Sequence, residues 1–508
     1  MRLTQGVDRA VMIRGNGVAV IDGAYGCTWA EFSARIARLA GFLRAQGLVA
    51  GGRVVLVSNN SHWSLELFYA AIHAGGVIVP LNFRLSVEDM ETQVADCQPD
   101  VIALGPDYAH LAKRLGGAAQ GKPVLMIDAA LNATVDAAAP VDDAGRQKDD
   151  LACIFYTSGT TNAAKGVMLT HANLMANTQN VWPMLELGEG TVHLHHGPLF
   201  HVAAGARLFS VTQAAGTHVF LPRFQAGEVL AEIDRSGITH MTLVPTMLRS
   251  LLDDPGFASA SLSTLRYLSY GSAPMPEALL REALEAMPHV RFIQSYGMTE
   301  LSPVATMLGW EDHLPGPRSA FLLKSAGRPV ATAEVAIVAP DGRHLGRNEH
   351  GEIIVRGPIV MAGYWNRPDL TEAAIRNGWM HTGDIGFIDE TGVLTVSDRL
   401  KDMIISGGEN IFSQEVEQCL SSHPAVSQCA VFGLPDPKWG EAVHAVVTLK
   451  EGMAATPDEL IAHCREGLAH YKCPRALDIR SEPMPLSGAN KIQKSELRRE
   501  ILDRHAAH

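Results

Sequence analysis

The sequence predicts an α/β fold: a large N-terminal domain of covered, largely parallel sheets with helices, followed by a small α+β C-terminal domain. Two patterns and one bulk property carry this expectation. Through the first part of the chain, short apolar strands are separated by stretches of helical periodicity, as in a sheet covered on both faces. The last part changes to two strand patterns and one well-capped helix, a small α+β unit of roughly 110 residues. Hydrophobic residues make up 47% and charged residues 19% of 508 residues, the balance of a compact chain. That length suits roughly two to four domains.

In order, Trp29, Phe32, Ile36, Leu39 and Leu43 recur at three- and four-residue steps and share one helical face. After the turn at Gly51-Gly52, Val54 to Val57 reads as a short buried strand, and similar runs follow at Val77 to Val79, Val101 to Leu104 and Val124 to Ile127. The Ala-rich, acidic sequence from Ala129 to Asp150 reads as a surface connection. Apolar Leu151 to Tyr156 is a further strand. Near the other end, Cys429 to Leu434 and Val443 to Leu449 are strands separated by PDPKWGE. Thr456-Pro457-Asp458-Glu459 offers a cap, a proline at the first helical position and a glutamate three residues after the cap, so a helix should run to about Tyr471. The domain boundary is placed near Asp398 to Lys401, and no internal repeat or low-complexity tract is present.

The net charge of -12 argues against a general nucleic-acid binder, because phosphate backbones require a basic face. A nucleotide ligand needs only a few local donors. The seven cysteines are scattered, form no C-x-x-C pair and are odd in number, which fits a reducing cytosol better than a disulfide framework or zinc site. No segment reads as a signal peptide or membrane span, so a cytoplasmic location is expected.

Five stretches could carry chemistry. Thr157-Ser158-Gly159-Thr160-Thr161-Asn162, with Lys165 beyond, joins a flexible glycine, hydroxyl donors and one cation, as a phosphate loop does. The Walker spacing fails, because Ala164 precedes the lysine. Alone, the stretch reads equally as a Ser/Thr-rich hairpin turn. Ser295-Tyr296-Gly297-Met298-Thr299-Glu300 offers an aromatic face, a hydroxyl and a carboxylate, suited to a nucleobase, a phosphate and magnesium, or else an ordinary strand end. His381-Thr382-Gly383-Asp384 puts a carboxylate on a tight turn, where it could accept both hydroxyls of a ribose. Asp398-Arg399-Leu400-Lys401-Asp402 precedes Ser406-Gly407-Gly408, and its charges also read as a solvated linker. Finally, Ser487-Gly488-Ala489-Asn490-Lys491 presents a lysine on a glycine-containing loop.

In this order and spacing, the five stretches strongly resemble the adenylate-forming superfamily of acyl-CoA and aryl-CoA ligases, luciferases and peptide-synthetase adenylation domains. The resemblance runs from about Thr28 to Arg499. It implies an ATP- and carboxylate-binding domain over residues 1–397, a hinge at 398–402 and a mobile C-terminal domain over 403–508. It further implies that Thr157, Ser158, Gly159, Thr160, Thr161 and Lys165 cover the triphosphate. Gly271, Ser272, Ala273, Ser295, Tyr296 and Gly297 would line the adenine site. Thr299 would touch phosphate and Glu300 would bind Mg2+. Asp384 and Arg399 would hold the ribose, Lys401 would be the hinge residue and Lys491 the adenylation lysine. Gly407 and Gly408 would let the pantetheine arm of coenzyme A pass, and Trp439 and Tyr471 could support its nucleotide, though packing is the commoner role for both. The phosphate loop departs from the family's usual T-S-G-T-T-G-x-P-K-G at Asn162 and Ala164.

Amino-acid-activating relatives carry an aspartate where this chain has His201, which points to an acid without an ammonium group. His201 is placed beside the substrate carboxylate, with a packing histidine as the alternative. Val202, Ala203, Ala204, Val244, Met298 and Val304 suggest an apolar acyl cavity. Arg207 could reach a second carboxylate, but is expected to face solvent or a neighbour. The function implied is an ATP-dependent carboxylate–CoA ligase that forms an acyl-AMP and then a thioester from an apolar monocarboxylic acid, fatty or aromatic. One alternative is an acyl-AMP ligase that loads a carrier protein. Another is an inactive nucleotide-binding regulator. The partners are the small acid and CoA, with a homodimer left open.

Overall fold

The computed structural model describes residues 1–157, 164–486 and 492–506. Two large sheets form its bulk. In the seven-stranded sheet, Leu151–Thr157, Val77–Pro80, Arg53–Val57, Val101–Leu104 and Val124–Met126 run parallel, while Lys165–Thr170 and Gly363–Tyr364 close one edge antiparallel. In the nine-stranded sheet, six strands from Val18–Asp22 to Arg291–Gly297 are parallel and the edges are antiparallel. The expected strands are therefore present, with parallel centres. A third, wholly antiparallel sheet of Glu334–Val338, Gly351–Arg356, Ile375–Arg376, Trp379–Ile388 and Leu394–Arg399 was not anticipated.

The helix Trp29–Ala45 starts on a reciprocal cap between Thr28 and Glu31. Its apolar face is buried as the periodicity implies. Trp29, Phe32, Tyr69 and Phe209 meet edge to face at 5.6–5.9 Å, joining three helices. Beside them Arg35 donates from Nε to Glu66 Oε2 at 2.7 Å, and Tyr25 donates its hydroxyl to Glu66 Oε1 at 3.1 Å. Burial pushes the Glu66 carboxyl up, and Arg35 opposes this. The same guanidinium reaches Asn132 and Asp136 on a helix, Ala129–Ala137. The expected surface connection thus contains a helix, capped by Asp128 and held by Leu131, Val135 and Arg35 rather than by a broad apolar face.

The small unit carries its own sheet, with Val426–Asp436 and Gly440–Leu449 as a long hairpin. Thr456 and Glu459 cap Pro457–Gly467 as expected. That helix stops at Gly467 rather than near Tyr471, because Leu468 turns extended and His470–Lys472 forms a separate short turn. Where the two units join, the helix Ser413–Ser421 lacks a side-chain cap of its own. Asp398, across the junction, supplies it: its carboxylate accepts from Ser413 N and, at 3.1 Å, from Ser413 Oγ. Lys494 Nζ donates to Ser413 Oγ and pairs with Glu417, both at 2.7 Å.

Arg35→Met should destabilise the protein by about 3–5 kcal/mol, because it strands the buried Glu66 charge. Arg35→Met with Glu66→Leu should recover most of that loss in urea unfolding. A double variant no more stable than the single one would show that the pair is not the source.

Candidate active site

The phosphate-loop stretch leaves one sheet edge and returns to it. Leu151–Thr157 pairs antiparallel with Lys165–Thr170, and Thr157 faces Lys165. Ser158, Gly159, Thr160, Thr161 and Asn162 lie outside the described residues. The next edge strand, Gly363–Tyr364, puts the Tyr364 ring 5.2 Å from Lys165 Nζ. Tyr364 donates its hydroxyl to Glu300 Oε1 at 2.7 Å. Glu300 is buried on the turn Thr299–Leu301, just past Arg291–Gly297. Burial raises its carboxyl, while the Tyr364 hydrogen bond, Lys165 and Arg399 pull it down. Thr299 sits half-buried beside it in the same turn. Tyr364 escaped the sequence reading, since its only local signal is an aromatic after Gly363.

The expected nucleoside residues also converge. Gly271 lies opposite Ser295 in register, and a Cβ at Gly271 would collide with the Ser295 carbonyl. Ser272 turns the chain with a φ of 66° and precedes half-buried Ala273. A side chain at Gly297 would strike the Pro303 carbonyl. Tyr296 donates its hydroxyl to Asp384 Oδ2 at 2.7 Å, and burial together with the Asp384 charge holds that phenol protonated. Asp384 and Arg399 face each other on adjacent strands, with Arg399 Nε 3.6 Å from Asp384 Oδ1. The tight turn expected at His381 to Asp384 is instead the middle of the strand Trp379–Ile388, where Gly383 takes a φ of 70° just before Asp384.

On the acyl side, His201 stands at the start of the helix Val202–Gln213, its ring 4.5 Å from Phe200. Ala203, Ala204, Val244 and Met298 are part-exposed, whereas Val202 and Val304 are packed into core groups. Gly205 turns the opposite helix face onto Phe155. Of the two surroundings expected for Arg207, solvent or a neighbour, solvent is excluded: it is buried, 7% exposed. Four histidines line the neighbouring sheet face. His193 and His195 share one strand, in register with His218 on one side and His240 on the other. His195 Nε2 lies 3.0 Å from His218 Nδ1, and His218 Nε2 lies 3.1 Å from Thr212 Oγ1. Burial holds all four uncharged, with His218 lowered to about 3 and His240 to about 4.

In the small unit, Gly407 and Gly408 form the tip of the hairpin Ile404–Ser406 and Glu409–Ile411, both with positive φ as such tips require. Gly407 N donates to Trp439 O at 2.8 Å, and a Cβ at Gly407 would press on the Trp439 ring. Lys438 and Arg475 lie 4.7 and 4.6 Å from that ring, two cations that sequence reasoning missed. Tyr471 is exposed on the turn His470–Lys472, and Lys401 is exposed between the two units. Lys491 lies outside the described residues.

Residues 7–365 match the family model for AMP-binding enzymes, and residues 415–491 match the AMP-binding enzyme C-terminal domain. The chain belongs to the adenylate-forming superfamily of AMP-binding enzymes. It is 40% identical to a feruloyl-CoA synthase of an Amycolatopsis species over 95% of this chain and 96% of that one. It is 34% identical to a long-chain-fatty-acid–CoA ligase of Bacillus subtilis over 92% and 89% of the two chains. Among solved structures it is similar to ATP-bound MatB from Rhodopseudomonas palustris, with a TM-score of 0.90, 29% identity and 99% of each chain covered.

Glu300→Gln keeps an oxygen for Tyr364 and removes the charge. Because the folded carboxyl is raised, its ionisation weakens the fold as pH climbs from the unfolded value near 4.5, and the full penalty is present above the folded value. Glu300→Gln should therefore melt higher than the parent at neutral pH, with the gap closing in acid, while AMP formation falls by about 100-fold or more. A variant that melts lower at every pH contradicts this account of Glu300.

Proposed function

We propose that this enzyme activates a carboxylic acid with an apolar body, aromatic or aliphatic, and passes the acyl group to CoA. The reaction class is ATP-dependent acid–CoA ligation through an acyl-AMP. One observation carries the assignment of roles. Lys165, Glu300 and Arg399 come from three distant segments, yet Tyr364 touches both Glu300, at 2.7 Å, and Lys165, at 5.2 Å, while Arg399 and Tyr296 meet at Asp384. A carboxylate and a phosphate repel, so joining them needs cations aimed at the charge that develops. Lys165 serves the triphosphate, and Asp384 with Arg399 holds the ribose, positioned by the Tyr296 hydroxyl. Gly271, Ser272, Ala273, Ser295 and Gly297 give the adenine a flat approach, because larger groups are excluded at Gly271 and Gly297. Lys491 bridges the acid and the α-phosphate.

Glu300 suits Mg2+, which is commonly held by one or two carboxylates plus substrate phosphates. When bound, the ion would neutralise phosphate charge. Among the described residues, no group of three or more His, Cys, Asp or Glu could hold a metal ion. In the second half-reaction Gly407 and Gly408 admit the narrow thiol arm, while Trp439, flanked by Lys438 and Arg475, receives the phosphate-bearing end of CoA. The paired cations favour CoA over a carrier protein as acceptor. Residues 398–402 serve as the hinge between the ATP-binding and C-terminal domains. No helix among the described residues is long and apolar enough to cross a membrane.

AMP release with benzoates, cinnamates and short to long fatty acids, with and without CoA, tests this reading. Turnover should require CoA. Lys491→Ala should lose ATP–pyrophosphate exchange by about 100-fold or more, yet still convert supplied acyl-AMP to thioester. Unchanged exchange in that variant would sink the Lys491 assignment.

A further inference from the structure

Arg207 is a charge for which the ligase scheme above has no use. Its side chain is buried, and its shielded Nε and Nη1 have no hydrogen-bond partner among the described residues. It forms no ion pair there either. The groups around it are neutral: His193, His195 and His240 all feel its charge and are themselves held uncharged by burial. His193 Nδ1 is likewise shielded and unpartnered. Burial lowers the guanidinium only to about 10, so it stays charged at neutral pH. A buried cation without a counter-charge is costly, and fold stability gives no reason to keep one.

Its place on the helix supplies a reason. Arg207 lies four residues after Ala203 and three after Ala204, so all three share one face of Val202–Gln213. Gly205 turns the opposite face onto Phe155. Ala203 and Ala204 are part-exposed, and a Cβ placed on Gly197 would meet nothing nearer than the Ala204 Cβ at 3.9 Å. Gly197 and the part-exposed alanines leave space at the start of this face, and Arg207 stands six residues, nearly two helical turns, beyond His201, where the reacting carboxylate is placed. A substrate entering along the face would have its carboxylate at His201, its apolar body over the alanines and its far end at the guanidinium.

We infer that Arg207 is a specificity-determining residue that binds an oxygen acceptor, a phenolic oxygen or a second carboxylate, at the far end of the acid. This rests on the ligase reading and narrows it: the favoured substrate has an apolar body and a polar tip. A site built to meet such a group discriminates strongly against the analogue that lacks it, since the analogue leaves the buried donors unpaired.

The test compares kcat/KM for AMP formation with cinnamate, 4-hydroxycinnamate and 4-carboxycinnamate, and with the matching benzoates, in the parent, Arg207→Met and Arg207→Lys. The parent should favour the better of the two 4-substituted acids over the bare acid by at least about 10-fold. The choice between hydroxy and carboxy tells which acceptor the site takes. In Arg207→Met that preference should collapse toward unity, and Arg207→Lys should retain part of it. If the parent activates bare and substituted acids equally, the assignment is overturned. It is also overturned if Arg207→Met depresses all acids alike, as a purely structural arginine would. Should the variants fail to fold, the parent's own preference decides. If no acid of any kind releases AMP, it is the ligase reading that falls.

Discussion

The carboxylate of Glu300 must be buried and yet keep cations within reach. A carboxyl out of water is disfavoured in its charged form unless hydrogen bonds and positive charge offset the loss. Here the Tyr364 hydroxyl, Lys165 and Arg399 provide both. None is near Glu300 in sequence. Lys165 and Tyr364 lie on the edge of the seven-stranded sheet, Glu300 follows a strand of the nine-stranded sheet, and Arg399 ends the antiparallel sheet. Three sheets therefore have to meet at this carboxylate. The antiparallel edges added to each parallel centre carry the chain there.

Much of this was legible in the residues. The helix Trp29–Ala45, the parallel strands and the caps at Thr28 and Thr456 follow from local periodicity and local hydrogen bonding, which sequence records directly. The converging motifs were legible because each combines residue types with few structural uses. What escaped depends on partners far along the chain. Ala129–Ala137 has little apolar face of its own and is held by Arg35, about a hundred residues earlier. Tyr364 and Arg475 are unremarkable residues until folding sets them beside Glu300 and Trp439. For Arg207 the choice between solvent and a neighbour stayed open, because an arginine is usually exposed and nothing local records the burial of its side chain.

The junction between the units shows the same economy of parts. The helix Ser413–Ser421 takes its N-terminal cap from Asp398, which belongs to the preceding sheet. Helix N-termini carry unsatisfied N–H groups and partial positive charge, so a carboxylate there stabilises both sides. Were the small unit to turn about the proposed hinge, residues 398–402, the contact between Asp398 and Ser413 would be the one at stake. Lys494, bound to Ser413 and Glu417, stays with the small unit and keeps its end of the network intact.

The histidine layer affects how the folded protein behaves as a polyelectrolyte. The chain has 21 histidines, and a count of residues would have most of them take up protons near pH 6. His193, His195, His218 and His240 do not, and neither do His171, His196 and His313, each lowered to about 4 by burial. Through these seven, the native molecule takes up fewer protons near pH 6 than its histidine count implies. The unfolded chain regains these imidazoles as proton acceptors, so mild acid favours unfolding through this layer.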